Sequence, residues 1–128
     1  MALNNAIPAN GTLTDSQWLK ILAFLRKFPR AYVGQEKKCR LFVEAVFWIS
    51  RTGVQWRLLP KKYGYWNSVY KRFARWHKHG VWEAMHHHFV DDPELKNMIF
   101  KSLMLPQKYR QLQQPRLLEA LLIWPGKW

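Results

Sequence analysis

Apolar side chains recur at helical spacing in the first part of the chain and predict two helices. The first helix begins at a capping box formed by Thr14 and Gln17. A second helix is predicted over about residues 38–51, and inside it Glu44 is the polar exception on an otherwise apolar surface. Because a helix that is apolar on nearly every side is buried, we expect it at the centre of the fold. Gly53 is placed to end this helix with a left-handed cap.

The rest of the pattern predicts further helices separated by glycine and proline. Residues 54–60 are predicted to form one helical turn, followed by a loop rich in Lys, Tyr and Gly. An amphipathic helix is predicted over residues 67–79, and a fourth begins near Val81. Pro93 breaks the fourth helix, and residues 94–100 resume the helical pattern. The sequence therefore predicts an all-α, helix-turn-helix-like bundle of about four helices, with a long loop between helices two and three.

The segment 67–79 divides into two faces when it is placed on a helix at about 100° per residue. One face is apolar and includes Phe73 and Trp76. The opposite face covers roughly 140° of arc, carries no carboxylate and consists of Asn67, Ser68, Lys71, Arg72, Arg75, Lys78 and His79. Ordinary solvated helices mix Glu and Asp among their lysines. We therefore interpret this segment as a DNA-recognition helix.

Six residues of this helix are predicted to contact DNA. The four nearest its N-terminus, which we expect to approach base edges, are Asn67, Ser68, Lys71 and Arg72. Arg75 and Lys78 lie further along and are predicted to hold phosphates. A wider phosphate track is predicted, from basic character alone, at Lys20, Arg26, Lys27, Arg30, Lys37 and Lys38. The alternative interpretation is that these cations only form a solvated surface and do not contact DNA.

The charge of the chain favours the same interpretation. The 128 residues carry a formal net charge of +13, and the pI is about 10.3. A small basic protein commonly binds a polyanion, because neutralising phosphates releases counterions. An apolar content of 48%, with eight tryptophans, is ample for the core of one domain. Double-stranded DNA is therefore the expected partner.

Cysteine usage and apolar runs indicate a location in the cytoplasm, associated with the nucleoid. Cys39 is the only cysteine, so no internal disulfide can form, and we expect a buried thiol at a helix start. Residues 1–12 are predicted to be flexible and lack the basic start and apolar run of a secretory signal. The apolar stretch 117–124 is interrupted by Glu119 and is too short to span a bilayer. No membrane partner is expected.

Two clusters of possible metal ligands are interpreted as structural. Asp91, Asp92 and Glu94 lie beside a helix end with no partner acids elsewhere, which is typical of a solvated cap. The three consecutive histidines 86–88 point in three directions on a helix, whereas a shared zinc ion requires ligands at i and i+4. We therefore expect no catalytic residues, no metal and no cofactor in this chain.

Four motifs occur in an order that is typical of one family. They are residues 13–18 (Leu-Thr-Asp-Ser-Gln-Trp), 51–60 (Arg-Thr-Gly-Val-Gln-Trp-Arg-Leu-Leu-Pro), 66–73 (Trp-Asn-Ser-Val-Tyr-Lys-Arg-Phe) and 80–83 (Gly-Val-Trp-Glu). Together they resemble the N-terminal domain of bacterial insertion-sequence transposases, in the group numbered four and five. The resemblance covers roughly residues 13–99, and the second and third motifs are its most specific parts.

This resemblance implies a role in DNA transposition. In such transposases the helical domain is taken to bind the terminal inverted repeats of the mobile element. A ribonuclease-H-like domain follows it, and three carboxylates there hold the metal ions that stabilise the attacking and leaving oxygens during strand cleavage. Mg²⁺ is therefore expected only for that catalytic domain.

The sequence departs from the family pattern after Ile99. The family places its first catalytic Asp at this point, whereas this chain has Phe100, and no family motif follows. The resemblance thus divides the chain into a flexible N-terminus (1–12), a DNA-binding domain (13–99) and a non-matching tail (100–128), truncated or out of frame.

Two interpretations of the departure remain open. The first is the DNA-binding domain of a truncated transposase, which binds inverted repeats but is not catalytic alone. The alternative is the first-frame half of an active transposase that is completed by ribosomal frameshifting. The full-length transposase and a second copy of this chain are the further expected partners, and the apolar stretch 117–124 is a candidate for subunit pairing.

Overall fold

The computed structural model of the chain describes residues 13–106, which form five α-helices and two short 3-10 turns. The helices are α1 (Asp15–Lys27), α2 (Glu36–Thr52), α3 (Trp66–Lys78), α4 (Val81–His88) and α5 (Pro93–Leu103). Both 3-10 turns, Trp56–Leu58 and Lys61–Tyr63, lie between α2 and α3. No strand occurs in this range, so the predicted all-α bundle is confirmed. The predictions for residues 1–12 and 107–128 lie outside the described residues.

The ends of the helices follow the local signals in the sequence. The capping box at α1 is formed, because Thr14 Oγ1 accepts a hydrogen bond from Gln17 N and Gln17 Oε1 accepts one from Thr14 N, both at 3.1 Å. Gly53 ends α2 in the left-handed conformation with φ 74°. Such a φ is costly for residues with a Cβ, which explains glycine at this position. Pro93 is the first residue of α5, a position whose N–H has no hydrogen-bond partner within the helix, so the missing N–H of proline costs nothing there.

The core is built around α2, which packs against α3 and α5, while α4 packs against both α3 and α5. Four aromatic rings join three of these helices. Phe42 of α2 meets Trp76 of α3 edge-on at 4.9 Å between centroids, and Trp82 of α4 lies 5.5 Å from Trp76 and 5.8 Å from Phe73. Trp82 is fully buried, and its indole N–H donates to Phe73 O at 3.3 Å. This cluster fixes the rotation of α3 about its own axis.

Glu44 is the polar exception that the sequence places in α2, and the structure buries it. Its side chain accepts a hydrogen bond from Leu13 N at 3.0 Å and one from Arg40 Nε at 3.3 Å. Arg40 also donates to Leu13 O, at 2.6 Å, and to Asp15 Oδ1, at 2.8 Å. The residues that precede and open α1 are therefore attached to α2 by a charged network.

The long connection between α2 and α3 is held against the core by two tryptophans. Trp56 is buried, with ring centroids 5.3 Å from Tyr70 and 5.2 Å from Phe73 of α3. Trp66 is half-buried, and the guanidinium carbon of Arg57 lies 5.4 Å from its ring centroid. The connection therefore contributes to the position of α3 even though it contains little regular structure.

Helix α5 continues through the position where the sequence departs from the family pattern. The predicted boundary between residues 99 and 100 falls inside this helix. Ser102 is fully buried, donates to Met98 O at 2.9 Å and lies 2.9 Å from the hydroxyl of Ser50. Leu103 O lies 3.1 Å from His77 Nε2. Residues 100–103 thus belong to the packed bundle. None of the helices within residues 13–106 is long and apolar enough to cross a membrane.

The charged network at Glu44 gives a first prediction. We expect Glu44→Gln to lower the free energy of unfolding by about 1–3 kcal/mol, because the ion pair with Arg40 is lost in a mostly buried site. Urea unfolding followed by tryptophan fluorescence measures the change. Glu83→Gln is the matched control, since Glu83 is exposed on α4. Equal stability of the two variants would show that the network at Glu44 contributes nothing.

The thiol of Cys39 gives a second prediction. Burial raises the pKa of this thiol above its ordinary value, and the nearby Arg72 guanidinium only partly opposes that increase. A raised pKa leaves less thiolate at a given pH, and the thiolate is the reactive form. We therefore expect iodoacetamide at pH 8 to alkylate Cys39 much more slowly in the folded protein than in urea. Equal rates in the two conditions would contradict a buried thiol.

Candidate nucleic-acid interface

The basic face of α3 is turned outward because the opposite face of the same helix is anchored in the core. Val69, Tyr70, Phe73 and Trp76 are buried. The residues of the opposite arc carry cations and one hydroxyl group, and α3 has no acidic residue in its first turn. The packed face of residues 67–79 is therefore as predicted, and the opposite arc is turned away from the core.

The six residues predicted to contact DNA do not all project in the same way. Four of them are exposed on the outer arc of α3, namely Ser68, Lys71, Arg75 and Lys78. Asn67 is half-buried at the start of the helix. Arg72 is also half-buried, at the edge of the arc. The outer arc is thus a compact surface of three cations and a hydroxyl, with Asn67 and Arg72 on its two borders.

Arg72 is held by contacts within the protein. Its Nη2 donates to Tyr32 O at 2.7 Å and to Val33 O at 3.3 Å. Its guanidinium carbon lies 4.7 Å from the ring centroid of Phe42 and 5.4 Å from that of Trp76, within the range of cation–π attraction. To reach a base, the guanidinium would have to release both carbonyls. The contact of Arg72 with base edges stays a prediction. Its hydrogen bonds to the two carbonyls give the side chain a second role, which is to hold residues 32 and 33 against α3.

The start of α3 adds to the positive character of this surface. Its N-cap residue, Tyr65, makes no side-chain hydrogen bond to the first turn. The amide groups there carry the positive end of the helix dipole and favour an anion. Lys61 and Lys62 are exposed in the turn that precedes the helix. Positive charge therefore extends from the outer arc of α3 to its N-terminal end.

The wider phosphate track that the sequence suggests is divided by the structure into two groups. Lys20 forms an ion pair with Asp92 at 3.0 Å, and Arg26 lies 3.6 Å from Glu36. The other four cations are exposed and have no ion pair within residues 13–106; they are Lys27, Arg30, Lys37 and Lys38. Lys20 therefore binds Asp92, the capping residue of α5, which lies 72 residues further along the chain. The sequence pattern could not show this pairing.

The acidic cluster before α5 has a structural role that differs in one respect from the prediction. Asp92 caps α5, since its Oδ1 accepts a hydrogen bond from Leu95 N at 3.2 Å. The prediction of a solvated cap is wrong for this residue, because Asp92 is only 8% exposed and is paired with Lys20. Among residues 13–106, no three His, Cys, Asp or Glu side chains are grouped to hold a metal ion.

Comparisons with known proteins relate this chain to a transposase family. The family described as "Putative transposase of IS4/5 family (DUF4096)" matches residues 13–86. A protein of Sinorhizobium fredii, named "Uncharacterized protein y4sN", is 36% identical over 73 residues, which cover 57% of this chain and 58% of that protein. The chain thus spans less than two thirds of this relative. No solved structure matches the chain.

The matched range begins at the first described residue and includes α1, α2, α3 and most of α4. It therefore contains the outer arc of α3 together with the buried aromatic residues that orient it. The chain belongs to the IS4/5 transposase family.

Proposed function

We propose that this chain is the DNA-binding module of an insertion-sequence transposase and that it binds the terminal inverted repeats of its element. The observation that carries the proposal is the outer arc of α3, which presents Lys71, Arg75 and Lys78 without a neighbouring acid on the helix. Such an arc attracts the phosphate backbone, because each neutralised phosphate releases counterions. Membership of a transposase family makes element DNA the relevant polyanion.

The dimensions of α3 suit the major groove of duplex DNA. A helix of 13 residues is about 20 Å long and 10–12 Å wide, and the groove is about 12 Å wide. Asn67, Ser68 and Lys71 lie in the N-terminal half and carry the donors and acceptors that base edges require. Arg75 and Lys78 lie further along and bind phosphates, which fix the register of the helix.

Binding and catalysis are separate in this proposal. The module recognises DNA as a folded bundle and needs no metal ion to do so. Mg²⁺ serves the catalytic carboxylates of the transposase, which the resemblance assigns to a following domain. The site of action is the element's own DNA, in the cytoplasm and associated with the nucleoid.

A second proposal concerns the gene and is favoured by the departure from the family pattern at Phe100. The chain would be the first-frame half of an active transposase completed by ribosomal frameshifting. The nucleotide sequence downstream tests this directly. A second frame that resumes with an Asp-containing motif and two later acids supports it, and stop codons in every frame reject it.

Substitutions on the outer arc test the main proposal. We expect Lys71→Ala to reduce the preference for a repeat duplex over a scrambled duplex by about 5–150-fold, since one good base contact contributes about 1–3 kcal/mol. Arg75→Ala should weaken binding to both duplexes and reduce the slope of log K against log salt by about 1. Fluorescence anisotropy across a salt series measures both quantities.

The control for these variants is Lys101→Ala, which removes the same charge from an exposed position on α5. We expect this variant to keep both the preference and the salt slope of the unmodified chain. The proposal is rejected if the unmodified chain binds both duplexes equally and with a steep salt dependence. Such binding would show that the outer arc is only a general basic surface without sequence preference.

Occupancy of element ends gives a further prediction in cells. We expect co-expression of this chain with an intact transposase of the same element to lower the transposition frequency, because both proteins compete for the same repeats. A double variant, Lys71→Ala with Arg75→Ala, should interfere less at the same expression level. An unchanged frequency with the unmodified chain would exclude such competition.

A further inference from the structure

The loop between α1 and α2 borders the outer arc of α3. The hydrogen bonds from Arg72 to Tyr32 O and Val33 O attach this loop to α3 at 2.7 and 3.3 Å. On α3, Arg72 lies about 60° from Arg75 around the helix axis. Residues 30–34 therefore lie beside the Arg75 side of the arc and extend the exposed surface of α3 in one direction.

The loop is fixed in place although it has no regular secondary structure. Ala31 is buried, and its N–H donates to Phe28 O at 3.0 Å. Val33 packs against the core from a half-buried position. Gly34 has φ +63°, and a Cβ at this position would lie 3.1 Å from Cε2 of Tyr32. The Tyr32 ring thus lies over Gly34, where a larger residue would meet both backbone strain and crowding.

Tyr32 is nevertheless 80% exposed, the highest fraction among the large exposed hydrophobic residues of the described chain. Its segment of the chain carries three cations that have no ion pair within residues 13–106: Arg30 lies two residues before Tyr32, and Lys37 and Lys38 lie in the first turn of α2. The acid of this segment, Glu36, lies 3.6 Å from Arg26 Nη2 and accepts a hydrogen bond from the indole of Trp18 at 3.2 Å. Segment 30–38 therefore has a net positive, phenol-bearing surface.

We infer that segment 30–38 is a second DNA-contacting element that binds the sugar–phosphate backbone beside the groove occupied by α3. In this arrangement the Tyr32 hydroxyl and Arg30 donate to backbone phosphates, which are strong acceptors. Arg72 is a positioning residue that sets the distance between this loop and α3. The inference rests on the proposed function, because it requires α3 to lie in the groove. DNA is the occupant that fits, since segment 30–38 carries the exposed phenol of Tyr32 and three cations against one acid, which is itself paired.

Substitutions in the loop test the contact itself. We expect Tyr32→Phe and Arg30→Ala each to weaken binding to the repeat duplex by ~3–10-fold, the usual loss for one hydrogen bond or phosphate contact. Hydroxyl-radical footprinting should show that protection is lost at flanking nucleotides and kept at the nucleotides contacted by α3. Lys101→Ala serves as the matched charge control. Tyr32 and Arg30 are exposed, so these variants are expected to stay folded.

A double-mutant cycle tests the positioning role of Arg72. Arg72→Lys keeps the charge but cannot donate to two carbonyls while lying over two rings. We expect Tyr32→Phe to have no further effect on affinity in the Arg72→Lys background, and the flanking footprint to be lost in Arg72→Lys alone. Thermal unfolding confirms that each variant is folded.

The outcomes separate this inference from the proposed function. If Arg72→Lys and Tyr32→Phe lower the affinity additively, and Arg72→Lys relaxes the sequence preference at one base pair, the positioning role is overturned. Arg72 would then contact a base edge directly. Unchanged affinity and footprint in Tyr32→Phe and Arg30→Ala, with repeat preference intact in the unmodified chain, would overturn the loop contact alone. Loss of repeat preference in the unmodified chain would overturn both.

Discussion

The contact between Phe42 and Trp76 determines which side of α3 faces solvent. The two rings meet edge-on at 4.9 Å, and Trp82 lies against Trp76 from the neighbouring helix at 5.5 Å. Aromatic pairs of this kind bury large areas and have preferred geometries, so they resist rotation of the helix. With its aromatic side fixed, α3 has no alternative to presenting Lys71, Arg75 and Lys78 outward. The outward position of the candidate interface follows from this packing.

Arg72 connects that packing to the surface. Its guanidinium lies over the ring of Phe42 and donates to two carbonyls of the α1–α2 loop, so one side chain joins α2, α3 and the loop. The long chain of arginine allows this combination, because its planar group stacks and donates at the same time. The proposed DNA surface, made of one helix and one loop, needs such a connection, since both elements must match the spacing of the duplex.

Local signals in the sequence were sufficient for the helices and for the outer arc of α3. The capping box at Thr14 and Gln17, the left-handed Gly53 and the amphipathic phase of residues 67–79 all act within a few residues, so the sequence displays them directly. The partners of charged side chains were not predictable in the same way. Arg72 lies at the border of the arc, and its direction depends on a loop that is about 40 residues away. Glu44 likewise gains its partners only when Leu13 folds against α2.

We propose that the outer arc of α3 is the surface that meets DNA. The most direct measurement is a titration of the ¹⁵N-labelled chain with a duplex copied from the element's inverted repeat, followed by amide chemical shifts. We expect the largest changes at residues 67–78 and smaller ones at residues 30–38, with the exposed side of α5 unaffected. Changes centred on α5 or on α1, with α3 unaffected, would contradict the assignment.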